Sequence, residues 1–171
     1  MFDALRALPM PTVCMLNGPA LGGGTGLTAA CQMAIASDDA VFSTSEVRFG
    51  IIPAVISPYV LRAVGPRHAL RYFQSAERIS AERALAIGLV GEVVPLDGLD
   101  AAVAALADML IACAPQAQKA AKDLIAAVDG RPIDDAVSEE TAQRIARRRA
   151  TDEAKDGIAA FLEKRTPAWL L

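Results

Sequence analysis

No lysine occurs between Met1 and Arg62, and His68 is the only histidine in 171 residues. The first scarcity excludes a phosphate loop closed by Gly-Lys-Ser/Thr in that part of the chain. The second leaves no triad to build, and Gly65-Pro66-Arg67-His68-Ala69-Leu70 reads as a histidine on a helix surface. Cysteines are few: Cys14, Cys31 and Cys113 are odd in number, widely spaced and set in apolar stretches. They predict buried thiols, not a disulfide frame or a zinc site. Apolar residues make up 53% of the chain, but Arg, Asp and Glu interrupt every run well short of the ~18 residues of a membrane span. Met1-Phe2-Asp3-Ala4-Leu5-Arg6 holds an acid and no apolar signal core, so a cytoplasmic location is expected. A net charge of −3 gives no general attraction to nucleic acid.

What the chain does hold is a glycine loop, Gly18-Pro19-Ala20-Leu21-Gly22-Gly23-Gly24-Thr25-Gly26, between an apolar run, Thr12-Val13-Cys14-Met15-Leu16, and a predicted helix at Leu27-Thr28-Ala29-Ala30-Cys31. Three successive glycines allow backbone to approach a ligand closely. A helix N-terminus behind them offers free N–H groups and partial positive charge, suited to a phosphate or to an oxygen that becomes negative during reaction. Gly24-Thr25-Gly26-Leu27-Thr28-Ala29 also fits a loose G-x-G-x-x-A dinucleotide pattern, with Asp38 or Glu46 as ribose acid, but Gly18-Pro19-Ala20-Leu21 separates it from its strand. The plainest reading of Gly22 to Gly24 is close packing of helix on strand.

At this length one domain is expected, burying roughly 70% of the surface its unfolded chain exposes. Phe2 to Leu8 has helical spacing and stops at Leu8-Pro9-Met10-Pro11. Thr12 to Leu16, Met33 to Ala36 and Ala40 to Ser43 read as short strands, the first covered on both faces, giving an α/β beginning. Helices are predicted at Pro58 to Val64, His68 to Ala76 and Ala81 to Gly88, the last capped near Ser80, with a further strand at Leu89 to Pro95. Four more helices follow: Leu99 to Ala112, Gln116 to Val128, Asp134 to Arg149 and Thr151 to Lys164. In the last, Ile158, Phe161 and Leu162 predict one buried stripe. The run Arg147-Arg148-Arg149 reads as a solvated helix end. The chain divides into an α/β part, 1–95, and a helical part, 96–171.

Asn17-Gly18-Pro19-Ala20-Leu21-Gly22-Gly23-Gly24, Cys31-Gln32-Met33-Ala34-Ile35-Ala36, Phe42-Ser43-Thr44-Ser45-Glu46-Val47-Arg48-Phe49-Gly50-Ile51-Ile52-Pro53, Gly88-Leu89-Val90 and Gly157-Ile158-Ala159-Ala160-Phe161-Leu162-Glu163-Lys164-Arg165 resemble, in order, the motifs of the enoyl-CoA hydratase/isomerase (crotonase) family. The resemblance runs from about Pro11 onward and corresponds to the C-terminal two-thirds of such chains. It implies an α/β crotonase-like fold with a truncated β-core followed by C-terminal helices. It also implies an acyl-CoA thioester as substrate, with coenzyme A carried by the substrate and no metal or other cofactor. A homo-oligomer is implied too, a trimer or a hexamer, with no nucleic-acid or membrane partner. The family's preceding segment supplies a second oxyanion donor, much of the CoA-adenine contact and neighbouring strands, which makes Thr12 to Leu16 an expected open edge.

Carried over by motif, the Gly23 N–H donates to the thioester oxygen and Glu46 transfers the proton, while Ala20, Leu21, Gly22 and Pro53 line the acyl-CoA site and Lys164 approaches the CoA phosphates of a neighbouring subunit. Without the resemblance, Glu46 reads as an ion pair with Arg48 or as a surface carboxylate. The sequence departs from the family at Gly26, where typical hydratases carry a first catalytic glutamate; Thr25 or Thr28 could orient a water there but neither is a base at neutral pH. Gln32, where aspartate is common, is a structural departure. Gly26 together with Ile51-Ile52-Pro53-Ala54-Val55-Ile56-Ser57-Pro58-Tyr59-Val60 resembles bacterial methylglutaconyl-CoA hydratases. Three outcomes stay open: hydration of an enoyl-CoA through one glutamate, double-bond isomerisation with the same group, or a non-catalytic fragment or assembly subunit.

Overall fold

In the computed structural model, which describes residues 1–171, helix α1 (Phe2–Ala7) is halted ahead of Pro9 and Pro11, and the chain passes into strand β1 (Val13–Leu16). The glycine loop contributes a short strand of its own, β2 (Ala20–Leu21), and α2 (Gly23–Ala30) follows. Beyond these lie β3 (Met33–Ser37), β4 (Val41–Ser43), α3 (Ser57–Ser75), β5 (Ile79–Ser80), α4 (Ala81–Ala86), β6 (Glu92–Val94) and α5 (Leu99–Ile111). Two small sheets result. In one, β1, β3 and β6 run parallel with β3 central; in the other, β2 is parallel and β5 antiparallel to β4. This is the α/β arrangement the strand and helix pattern predicts, and β1 is an edge, paired to β3 alone.

The edge position changes what β1 buries. Leu16 is buried but Met15 is exposed, so β1 is not covered on both faces, whereas β3 is buried from Ala34 to Ser37. Gln32 fixes the start of the β1–β3 register: its Oε1 accepts from the Thr12 N–H at 2.7 Å and the Thr12 hydroxyl at 3.1 Å, the structural part expected of it. Phe42 of β4 is fully buried in a core with Leu16, Ile56, Val60, Tyr72 and Ile79. Ser80 caps α4, its Oγ accepting from the Arg83 N–H at 3.2 Å.

One predicted boundary moves and one predicted break holds. The glycines belong to α2 itself, which starts at Gly23 and not at Leu27, because Gly22 turns the chain at φ 52°, ψ −115° and its carbonyl accepts from Gly26 at 3.1 Å. The break predicted between Pro58 to Val64 and His68 to Ala76 is present inside α3, whose two arms meet at a kink where Gly65 leaves helical geometry at φ 73°, ψ 166° and Pro66 restarts the turn.

Close packing of α2 on α3 rests on Gly26. A Cβ built there would lie 2.2 Å from Cγ2 and 2.7 Å from Cβ of Ile56, and 3.2 Å from Cε1 of Phe2. Ile56 immediately precedes α3 and is itself buried, so its branch has little room to withdraw.

The compact unit containing these elements is Met1–Ala107; a second, Asp108–Leu171, holds the end of α5 with α6 (Pro115–Val128), α7 (Asp135–Arg149) and α8 (Asp152–Glu163). Asp134 and Thr151 cap α7 and α8 through the Val137 and Ala154 N–H groups. Glu153 ties the three helices together, accepting from the backbone N–H groups of Gln116 and Ala117 at 3.1 and 3.0 Å and from the Arg148 guanidinium. Arg148 is therefore half-buried and paired, not part of a solvated helix end, while Arg147 and Arg149 are exposed. Asp156 accepts from the Ala168 N–H and from Arg165, each at 2.7 Å, and those bonds hold its carboxyl below the usual aspartate range. The predicted stripe on α8 is not buried within the chain: Ile158, Phe161 and Leu162 are exposed, and the face that packs is the small one, with Ala160 buried and the Trp169 ring against Gly157.

The cysteines also depart from expectation, Cys14 and Cys31 being half-buried and Cys113 exposed. Burial, then the neighbouring Cys31, pushes the Cys14 thiol up to about 11. Thiolate is the reactive form, so a thiol reagent near pH 8 is expected to label Cys113 first, with Cys14 gaining reactivity only as the pH approaches that value; peptide mapping of the labelled sites checks the order. Gly26→Ala is expected to lower stability by about 1–2 kcal/mol, overpacking against Ile56 outweighing the helix-propensity gain of alanine. Denaturant titration of the variant against the parent chain measures it.

Candidate active site

The site is built where β2, α2 and β4 meet. The Gly22 N–H donates to the Ser43 carbonyl at 2.8 Å, and the Thr25 hydroxyl donates to the carbonyls of Ala20 (2.6 Å) and Ser43 (3.1 Å). These bonds lock the N-terminus of α2 against both strands. Gly23 is the first residue of the helix, so its N–H has no acceptor four residues back. It is exposed, and the place a Cβ would take has nothing within 4 Å, so this amide stands at an open helix N-terminus. Gly22, whose amide is already engaged, is not a donor to a ligand.

Glu46 reaches the same place from the other side. It opens a 3-10 turn, Glu46–Phe49, directly after β4, and its Oε1 lies 3.5 Å from where a Cβ on Gly22 would stand. Gly22 is required for its positive φ; a Cβ there would meet the carboxylate only at ordinary van der Waals distance. The other oxygen, Oε2, is buried and accepts no hydrogen bond from the protein. A buried carboxylate oxygen left in this state is unusual and costly in a folded protein. The ion pair with Arg48 that the bare sequence allows does not form: Arg48 Nη2 donates to the Ala76 carbonyl at 3.0 Å.

The structure thus brings Gly22, Gly23 and Glu46 together, with Ala20 (buried) and Leu21 (exposed) in the strand leading into them. Pro53 is buried in the connection to α3, among residues that expose Phe49, Ile51, Ile52 and Val55. Lys164 belongs to the second unit, where it closes α8 in the left-handed conformation at φ 55°, exposed. His68 meets Arg83, its Nδ1 at 3.4 Å from Nη2.

Neither threonine offered as a water holder is available. Thr25 is engaged as described and Thr28 donates to the Gly24 carbonyl at 3.0 Å; both are buried. At Gly26 there is no room for a side chain, because Ile56 occupies it. Ile56 is the neighbour of the glycine loop that sequence reasoning missed, because Gly26, assigned to the loop ahead of the predicted helix, gave no local sign that something large lay over it. No group of three or more His, Cys, Asp or Glu is placed to hold a metal. A groove of about 250 Å³ in the second unit, lined by residues such as Ala117, Ile145, Gly157 and Trp169, is nearly all apolar, and its one carboxylate, Glu153, is held by Arg148.

Residues 1–170 match the family described as enoyl-CoA hydratase/isomerase. The chain is 35% identical over 165 residues to the short-chain-enoyl-CoA hydratase of Clostridium acetobutylicum, covering 96% of this chain and 63% of that protein. It is 33% identical to the 2,3-dehydroadipyl-CoA hydratase of Escherichia coli K12, with coverages of 95% and 64%. Among solved structures it is similar to an enoyl-CoA hydratase from Shewanella pealeana, with a TM-score of 0.93, 41% identity and coverages of 98% and 63%. The chain therefore spans a little under two-thirds of the length of these relatives and, in fold and in sequence along nearly its whole extent, belongs to the enoyl-CoA hydratase/isomerase family.

Proposed function

We propose that this chain binds an acyl-CoA thioester and transfers a proton to or from its acyl group by way of the thioester enolate. The observation that carries this reading is the Glu46 carboxylate, with one oxygen buried and unpartnered, held against Gly22 next to the open N-terminus of α2. The Gly23 amide supplies a donor where negative charge develops on the thioester oxygen, an effect worth about 3 kcal/mol per well-placed donor. In hydration, the first reading, a water oxygen bonds to the β-carbon of an enoyl-CoA, Glu46 accepts one of its protons, and the α-carbon is protonated from Glu46. Ala20, Leu21, Gly22 and Pro53 are assigned to the acyl-CoA site, and Lys164 to the CoA phosphates across a subunit boundary. Coenzyme A enters as part of the substrate, with no further cofactor.

A second reading keeps the enolate and moves the double bond. It is favoured by the engaged hydroxyls of Thr25 and Thr28 and by the filled space at Gly26, which leave one carboxylate and no side-chain hydroxyl on α2 free to donate to a water. Moving one proton along an acyl chain needs a single acid–base group. A branched, methylglutaconyl-like acyl chain, assembly as a trimer or hexamer and a cytoplasmic location complete the reading and follow from the family resemblance. Phe161 and Leu162 on α8 are exposed apolar side chains that such an assembly would cover.

Glu46→Gln is expected to reduce turnover of an enoyl-CoA, followed as loss of enoyl absorbance, by about 10²–10⁴-fold while CoA-thioester binding persists. An unchanged rate in the variant contradicts the assignment of Glu46. Binding without turnover in the parent chain instead marks it as a scaffold or assembly subunit.

A further inference from the structure

Water that is held in a protein site makes about three hydrogen bonds. Around the first two turns of α2 the side-chain candidates for them are few, and the open Gly23 N–H is assigned to the thioester oxygen. The only polar side chains on that helix are Thr25 and Thr28, and both hydroxyls already donate to backbone carbonyls. Glu46 contacts α2 at Gly22, and Ile56 contacts it at Gly26, about one helical turn or ~6 Å further along. At that second position the nearest atoms are Cγ2 and Cβ of Ile56, with a Phe2 ring carbon behind them, so the wall there is hydrocarbon. Ile56 is buried and packed in the main core with Val60 and Leu16, which leaves its branch no outward rotation toward solvent.

We propose that Ile56 is the specificity-determining side chain of this site. Packed over Gly26, it withholds a second hydrogen-bond partner from a water beside Glu46 and so favours moving a proton between acyl carbons over adding water to the double bond. The proposal rests on the enolate reading above. In the favoured reaction, Glu46 removes an α-proton from a β,γ-enoyl-CoA. The electron pair of that C–H bond passes into a dienolate whose oxygen faces the Gly23 N–H. The carboxylic acid then returns the proton to the γ-carbon, giving the α,β-enoyl-CoA with no atom gained or lost. Hydration differs in requiring a bond from water oxygen to the β-carbon, and hence a water held in place while Glu46 takes its proton. Ile56 acts on that one requirement and leaves the proton transfer to carbon untouched.

The test compares two rates in the 171-residue chain: isomerisation of trans-3-hexenoyl-CoA to trans-2-hexenoyl-CoA, and hydration of trans-2-hexenoyl-CoA to 3-hydroxyhexanoyl-CoA, with products separated by chromatography. The variants are Ile56→Thr, which keeps the β-branch and brings in a hydroxyl, Ile56→Val, which makes a similar loss of size without one, and Glu46→Gln. Isomerisation is expected to exceed hydration by about tenfold or more in the parent chain, and Ile56→Thr to shift that ratio toward hydration by about tenfold, the order of one hydrogen bond to a charged or reacting group. Ile56→Val is expected to leave the ratio within about twofold, which separates the polar effect from any loosening of the core. Equal ratios in the Thr and Val variants, with both reactions abolished in Glu46→Gln, overturn the role of Ile56 and leave the enolate reading standing. Both reactions surviving Glu46→Gln, or neither occurring in the parent chain, overturns the enolate reading and the proposal with it. Should Ile56→Thr lose its thermal unfolding transition, the parent ratio decides, and hydration as fast as isomerisation overturns the proposal.

Discussion

The closeness with which other chain segments approach α2 is the constraint on which the site depends. Gly22 lets the Glu46 carboxylate lie against backbone, and Gly26 lets Ile56 do the same one turn later. A Cβ at Gly26 would push Ile56 away, while at Gly22 it is the positive φ that excludes a side chain, beside a carboxylate whose other oxygen is buried and unpartnered. The two bonds from Thr25 and the one from the Gly22 amide then hold the helix end against β2 and β4, so that the open Gly23 amide keeps a fixed position. Preorganisation of this kind is what makes a backbone donor effective toward developing charge, because nothing has to reorient during the reaction.

The same crowding limits the chemistry. A second carboxylate on α2 is not merely missing from Gly26; its place is taken by packed hydrocarbon belonging to a segment 30 residues later in sequence. The hydroxyls nearby serve the backbone. On the reading proposed above, a site with one acid–base group, one open helix end and an apolar wall favours proton transfer through an enolate over the holding of a solvent molecule. This is how family membership at the level of hydratase/isomerase meets the particular residues of this chain.

Much of the fold could be read from local pattern. The strands β1, β3 and β4 and helices α1 and α5 to α8 coincide with apolar runs, helical spacing and the stop at Pro9. The caps at Ser80 and Thr151 follow equally short-range chemistry. The candidate site was legible only as an ordered set of family motifs: glycines that could serve a ligand or tight packing, and a glutamate that could be an ion pair. The two-residue strands β2 and β5 had no signature of their own, because they exist through pairing with β4.

By itself the sequence determined which segments become helix or strand, that the loop from Gly22 to Gly26 could approach other atoms closely, and that Glu46 is the acid in the matching motif. These depend on backbone sterics and on side-chain type, properties of residues and near neighbours. Tertiary structure alone decided that Arg48 turns to Ala76 and leaves Glu46 unpaired, that Thr25 and Thr28 are occupied, and that Ile56 fills the space over Gly26. It also decided that the apolar residues Ile158, Phe161 and Leu162 face outward. Each of those outcomes is a competition for space or for a hydrogen-bond partner between residues far apart in the chain, and such competitions are settled only when the fold brings the contestants together.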